Sequence, residues 1–174
     1  MISGTLIIDS RRFCEIRRRC PQAVAVALFC TVFAAPAVAQ EAIQVVGLDG
    51  RSTSVSLAAL ERRRVDTADA AGIKTTHEGV LLRDVLIKAG VPMDLRGKAL
   101  ARVVIATGAD GYRVAYAIAE LDPGFNDHVV LIANRRNGQP LLADSGPLQI
   151  IVPQDKRAAR WVRQVRSIEV RQLP

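Results

Sequence analysis

The sequence predicts an α+β domain built on a mixed β-sheet with a few short helices. Three observations carry that expectation. Short β-branched runs recur from residue 43 to the end of the chain, and the turn pairs Asp49-Gly50, Asp110-Gly111 and Asn137-Gly138 punctuate them. Apolar residues at helical spacing mark a helix at Leu82, Val85, Leu86 and Ala89. Strands that outnumber and interleave with short helices give this class.

The elements follow in order. "IQVVGL" (43–48) reads as a strand entering a hairpin at Asp49-Gly50, and the alternating "TSVSL" (53–57) as its return. Ser56 is placed to cap a short helix over "LAALERR". The stretch "VDTADAAGIKTTHEG" is polar and reads as extended. The helix at 82–89 is stopped by Gly90, and Pro92 bars its return. "ARVVIATGADGYRVAYAI" is a hairpin about Asp110-Gly111, and "AIAELD" a brief helical turn ended by Pro123-Gly124. "HVVLIAN" is apolar through its middle and so reads as a buried strand. Asn137-Gly138 is the strongest tight-turn pair. "PLQIIVP" and "SIEVRQL" complete the set of strands.

Residues 1–39 read as a secretory signal peptide rather than as part of the domain. Arg11, Arg12, Arg17, Arg18 and Arg19 form a positive leader, Ala23 to Ala35 an apolar run, and "AVA" at 37–39 a small-residue cleavage site. The apolar run is 13 residues long, short of the roughly 20 that span a bilayer. The expected products are a single domain at 40–174, a periplasmic or secreted location, and no membrane attachment after cleavage. The leader takes with it five arginines and two acids of the 24 basic and 17 acidic residues, which leaves a charge of +4. That modest charge, with only Tyr112, Tyr116 and Phe125 as aromatics beside Trp161, argues against a nucleic-acid partner.

Cys14, Cys20 and Cys30 all lie in the leader, so residues 40–174 hold no thiolate nucleophile or ligand. No phosphate-binding loop, nucleophile elbow or dinucleotide fingerprint is present. His77 and His128 are far apart in sequence, with no second histidine or acid at metal-ligand spacing, and read as ordinary strand-end residues. No catalytic residue and no metal ligand is assigned. Tyr112 and Tyr116, at i and i+4 on a strand, read as a packed pair, and Trp161 as a core or interface anchor. The C-terminal stretch carries Lys156, Arg157, Arg160, Arg163, Arg166 and Arg171. In a helical turn Arg157, Arg160 and Arg163 would share one side and could meet an oxyanion; the alternative is a solvated charged face, where truncation costs little.

The order of motifs resembles a known family. "HEGVLLRDVLIKAGV", "ADGYRVAYAIAEL" and "LIANRRNGQPLLADSGPLQIIVPQDKRAARWVRQVRSIEV" are similar to successive segments of the sulfite-oxidase-type molybdopterin-binding domain. The likeness runs from Val45 to Val170 and is greatest to small, secreted, single-domain members. The resemblance implies that fold. It also implies a molybdenum atom held by the pterin dithiolene and one cysteine thiolate, which would fall just before "HEGV". There the sequence is "RRRVDTADAAGIKTT" (62–76), without cysteine. A second departure is Gln149 in Ser145-Gly146-Pro147-Leu148-Gln149, where the family carries a basic residue, often with a histidine before the glycine. By the same resemblance Arg160 and Arg163 lie near basic residues that approach the pterin phosphate, and Gly146 is placed to offer a backbone N–H. The expected function is therefore an exported non-catalytic binding or accessory domain on this fold, holding a small anion or a partner protein. No resident cofactor is expected, molybdopterin being implied by resemblance alone. The alternative is a molybdopterin-dependent oxidoreductase with an atypical metal site.

Overall fold

A computed structural model describes residues 42–69 and 71–174. The signal-peptide assignment at 1–39 lies outside the described residues.

Two five-stranded sheets make the domain. The first runs β2 (Ser52–Ser56), β1 (Ala42–Val46), β10 (Val165–Gln172), β5 (Arg102–Gly108), β6 (Arg113–Ala117). It is mixed, because β1 lies parallel to β10 while its other pairings are antiparallel. The second runs β3 (Arg63–Ala68), β4 (Lys74–Leu81), β7 (Leu131–Arg136). Beyond β7, β9 (Gln149–Ile151) pairs with Leu131–Ala133 and β8 (Gln139–Pro140) with Arg135 and Arg136. Among the described residues there is one α-helix, α1 (Leu82–Lys88), which follows β4 directly. The α+β expectation holds.

The hairpins form where the turn pairs stand. Asn137 (φ 50°) and Gly138 (φ 77°) both take the positive φ of a two-residue hairpin turn. At the β5–β6 turn the Asp110 carboxylate accepts the Tyr112 N–H at 2.9 Å, and Gly111 supplies φ 81°. Of the expected short helices, 82–88 is α-helical, with Leu82, Val85 and Leu86 buried, while "AIAELD" is a single 3-10 turn at Ile118–Leu121. The helix expected over "LAALERR" is only a 3-10 turn at Leu57–Ala59, with no side-chain cap from Ser56. Tertiary pairing overrides local preference there: Arg63 already opens β3 against β4, and Arg62 reaches Asn134 Oδ1 at 2.8 Å. The "VDTADAAGIKTTHEG" stretch is likewise not merely extended, since it is most of the β3–β4 hairpin.

The main core draws on both sheets and α1, through Ile43, Val45, Val104, Tyr116, Ile132, Ile150 and Ile168 among others. A smaller cluster of Leu131, Ala133 and Ile151 lies beside Val65, Leu81, Val129 and Trp161. Along β7, Ile132 joins the first cluster and its neighbours Leu131 and Ala133 the second, the alternation of a strand with two covered faces. That explains why its sequence is apolar without a break. Trp161 packs against both clusters. Among the described residues no helix is long and apolar enough to cross a membrane.

Candidate functional site

The basic stretch after β9 is fastened by three aromatic side chains. β9 ends at Ile151 and the chain turns, with the Asp155 N–H donating to Val152 O at 3.1 Å. A 3-10 turn follows at Ala158–Arg160. Tyr112 Oη donates to Ala159 O at 2.7 Å, Tyr116 Oη donates to Arg160 O, and Trp161 Nε1 donates to Val152 O at 3.0 Å. Burial holds the Tyr116 phenol protonated by raising its pKa, so it remains a donor. The two tyrosines are thus not a simple packed pair. Tyr116 is fully buried, Tyr112 is 48% exposed, and both hold adjacent carbonyls of one turn.

Arg160 and Arg163 do not converge. The 3-10 turn ends at Arg160, and Trp161 is already extended at φ −84°, ψ 94°. Val162 O then accepts the Ile150 N–H, so the helical spacing that would align the two guanidinium groups is lost. Arg160 turns onto acids. Its Nε and Nη2 donate to the two carboxylate oxygens of Asp155 at 2.8 and 3.0 Å, and Nη1 donates to Glu120 Oε2 at 3.0 Å. Its Cζ also lies 5.3 Å from the Tyr116 ring centroid. The hydrogen bond to Asp155, ahead of that to Glu120, raises the arginine's pKa against the opposing effect of burial. Two carboxylates on one guanidinium leave no net positive charge for an anion, so Arg160 is a fastening rather than a ligand-binding group.

Arg163 is exposed and lines a cleft of about 450 Å³ with Asp110, Tyr112, Gln149 and Trp161. It makes no ion pair among the described residues. Gly108 allows the close approach here, since a Cβ on it would stand 2.8 Å from Arg163 O. Gly146 does not offer the N–H expected of it. That group already donates to Leu142 O at 2.7 Å, and the following bond to Pro147 is cis.

The segment in place of the thiolate is a closed hairpin. Thr76 Oγ1 donates to Asp66 Oδ1 at 2.7 Å, and Asp69 Oδ1 accepts the N–H groups of Ala71 and Ile73, each at 2.9 Å. Next to it, His77 is no strand-end residue. It sits within β4, only 4% exposed, edge-on to Trp161 with ring centroids 5.9 Å apart. Its Nδ1 has no hydrogen-bond partner. Burial, and then the charge of Arg136 opposite it on β7, lowers its pKa. His128 is exposed on the loop before β7.

The α+β fold is the one the motif order implied, and a cleft lies where the turn after β9 meets the β5–β6 hairpin. The profile of the oxidoreductase molybdopterin-binding domain family matches residues 40–174, and the chain belongs to that family. No curated protein matches it. The donor set does not fit a thiolate-held molybdenum. Residues 40–174 contain no cysteine, and the described residues contain no cluster of three or more His, Cys, Asp or Glu able to hold a metal ion.

Sequence reasoning missed what Arg160 does. Asp155 stands five residues before it, but Glu120 is 40 residues away and is brought in only by the β6–β7 connection. Nothing local in the sequence signals that meeting.

Proposed function

We propose that this chain is an exported, non-catalytic binding or accessory module on the molybdopterin-binding fold, holding a small anion or an acidic surface of a partner protein. Arg163 carries the reading. It has no ion-pair partner among the described residues, and it lines a cleft with the Gln149 amide, the Tyr112 ring and the Asp110 carboxylate. Arg160 supports it indirectly, by fixing the turn on which Arg163 is mounted. The leader-like residues 1–39 support export, and an intact mass beginning at Gln40 in periplasmic protein is the expected result. The competing reading, a molybdopterin-dependent oxidoreductase with an atypical metal site, has the family match in its favour and the donor chemistry against it.

The test is a titration of inorganic phosphate against wild type and Arg163→Ala, with molybdenum and pterin quantified on the same preparation. Binding that weakens with ionic strength and is lost in Arg163→Ala is expected, with molybdenum far below one atom per chain. Stoichiometric molybdenum, or equal phosphate binding by the variant, overturns the reading.

A further inference from the structure

A second cavity lies between the open end of the β3–β4 hairpin and the loop joining β6 to β7. It has a volume of about 510 Å³, and Leu81, Leu121, Val129 and Val130 give it an apolar floor. Leu121 and Val130 are buried. Its rim, the loop between β6 and β7, is held by side chains. Asn126 Nδ2 donates to Ala119 O at 3.2 Å, Gln154 Nε2 donates to Asp127 O at 3.3 Å, and the Val129 N–H donates to Gln154 Oε1 at 3.2 Å. A rim fastened this way makes the cavity preformed, as small-molecule sites usually are.

Arg83 lines this cavity and makes no hydrogen bond or ion pair among the described residues; its Nε has almost no accessible surface, so a ligand would meet the terminal guanidinium nitrogens. Two carboxylates line the same cavity, Asp84 and Asp127, yet neither lies within ion-pair distance of Arg83. The remaining charges, Arg63 and Glu61, pair with each other at 3.2 Å. Among the described residues the lining therefore offers one cation without an ion-pair partner, two carboxylates, and an apolar surface between loops.

We infer that this cavity is a binding site for a small dipolar ligand, a free amino acid with an apolar side chain. Its carboxylate accepts from the Arg83 guanidinium, in the planar fork geometry arginine offers carboxylates. Its ammonium faces Asp84 and Asp127, and its side chain lies on the floor of Leu81, Leu121, Val129 and Val130. Charge decides for a dipole over a plain anion. A bare carboxylate would add a negative charge to a lining already carrying one more acid than base, whereas a zwitterion answers both signs without adding net charge. The site shares no lining residue with the Arg163 cleft, so the inference stands apart from the proposed function.

Leucine, N-acetyl-leucine and leucinamide, titrated into the purified domain and followed by backbone amide NMR shifts, test it. Leucine is expected to shift the amides of residues 83, 127 and 129 saturably below about 10 mM. Each blocked analogue, lacking the ammonium or the carboxylate, is expected to bind at least about tenfold more weakly. Arg83→Gln should weaken leucine binding by a similar factor with its fold intact by circular dichroism, while Arg163→Ala leaves it unchanged. Absence of shifts at these residues, N-acetyl-leucine binding as well as leucine, or undiminished binding by a folded Arg83→Gln each overturns the inference.

Discussion

Arg160 and Arg163 stand three residues apart in one basic stretch, yet Arg160 pairs with two acids and Arg163 with none among the described residues. The Arg160 side chain is 34% exposed, between Asp155 at 20% and Glu120 at 29%. Truncating it strands two partly buried carboxylates and uncovers the Tyr116 ring. The low cost of truncation expected of a solvated charged face does not apply to this arginine, which is paired with two acids. Discounting for its partial exposure, Arg160→Ala should lose about 1–2 kcal/mol, read as a lower urea midpoint at unchanged slope. Arg163→Ala should unfold like wild type. His77 supplies the pH signal at this scale. Burial keeps its folded-state pKa below the ordinary 6.5, so between those two values the unfolded chain binds more protons than the folded one. The stabilisation from the neutral ring is complete above about pH 6.5 and is lost as pH falls through that window. His77→Leu should flatten the pH dependence of Tm below about pH 6.5. An unaltered slope would place the titration elsewhere.

At the scale of elements, the β4–β7 pairing is the most demanding. A bulge separates Glu78↔Arg135 from Gly79↔Ala133, and a Cβ on Gly79 would stand 2.0 Å from Ile132 O. The obstacle is backbone, which cannot swing aside. Gly79→Ala should therefore cost about 3 kcal/mol or more, visible in denaturant unfolding, whereas Ala at Gly124, whose nearest contact is a side-chain oxygen at 3.3 Å, should cost far less. The sequence made the need for a glycine here readable only through the family motif "HEGV", not through the bulge that imposes it. Hairpins, the α1 face and the doubly buried β7 were legible because turn chemistry and periodicity are local. The failed helix at 57–63 and the fate of Arg160 were not. Both are settled by partners far along the chain, Asn134 for Arg62 and Glu120 for Arg160. The candidate site was legible as a basic stretch of the right fold, but not as one paired and one unpaired arginine.

At the scale of the molecule, the first sheet is closed by the two ends of the domain. β1 begins at Ala42, and its parallel neighbour β10 is the last strand of the chain. β10 also pairs with β5 along most of its length and buries Val165, Ile168 and Val170. Remove it, and β1–β2 and β5–β6 become two separate hairpins, each too small to be stable alone. Ile43, Val45, Val104 and Ala106 would lose their shared neighbour in the core. The domain thus cannot complete its core until the whole chain is available, because this pairing spans nearly its full length and such long-range closure comes late. A chain ending at Gln164 should show no cooperative unfolding transition. Supplying residues 165–174 as a separate peptide should restore one only weakly, since joining two molecules adds an association cost that the single chain does not bear. A truncated chain that unfolds cooperatively near the wild-type midpoint would show that the second sheet and α1 suffice, and that β10 is an appendage rather than the strand that joins the halves of the sheet.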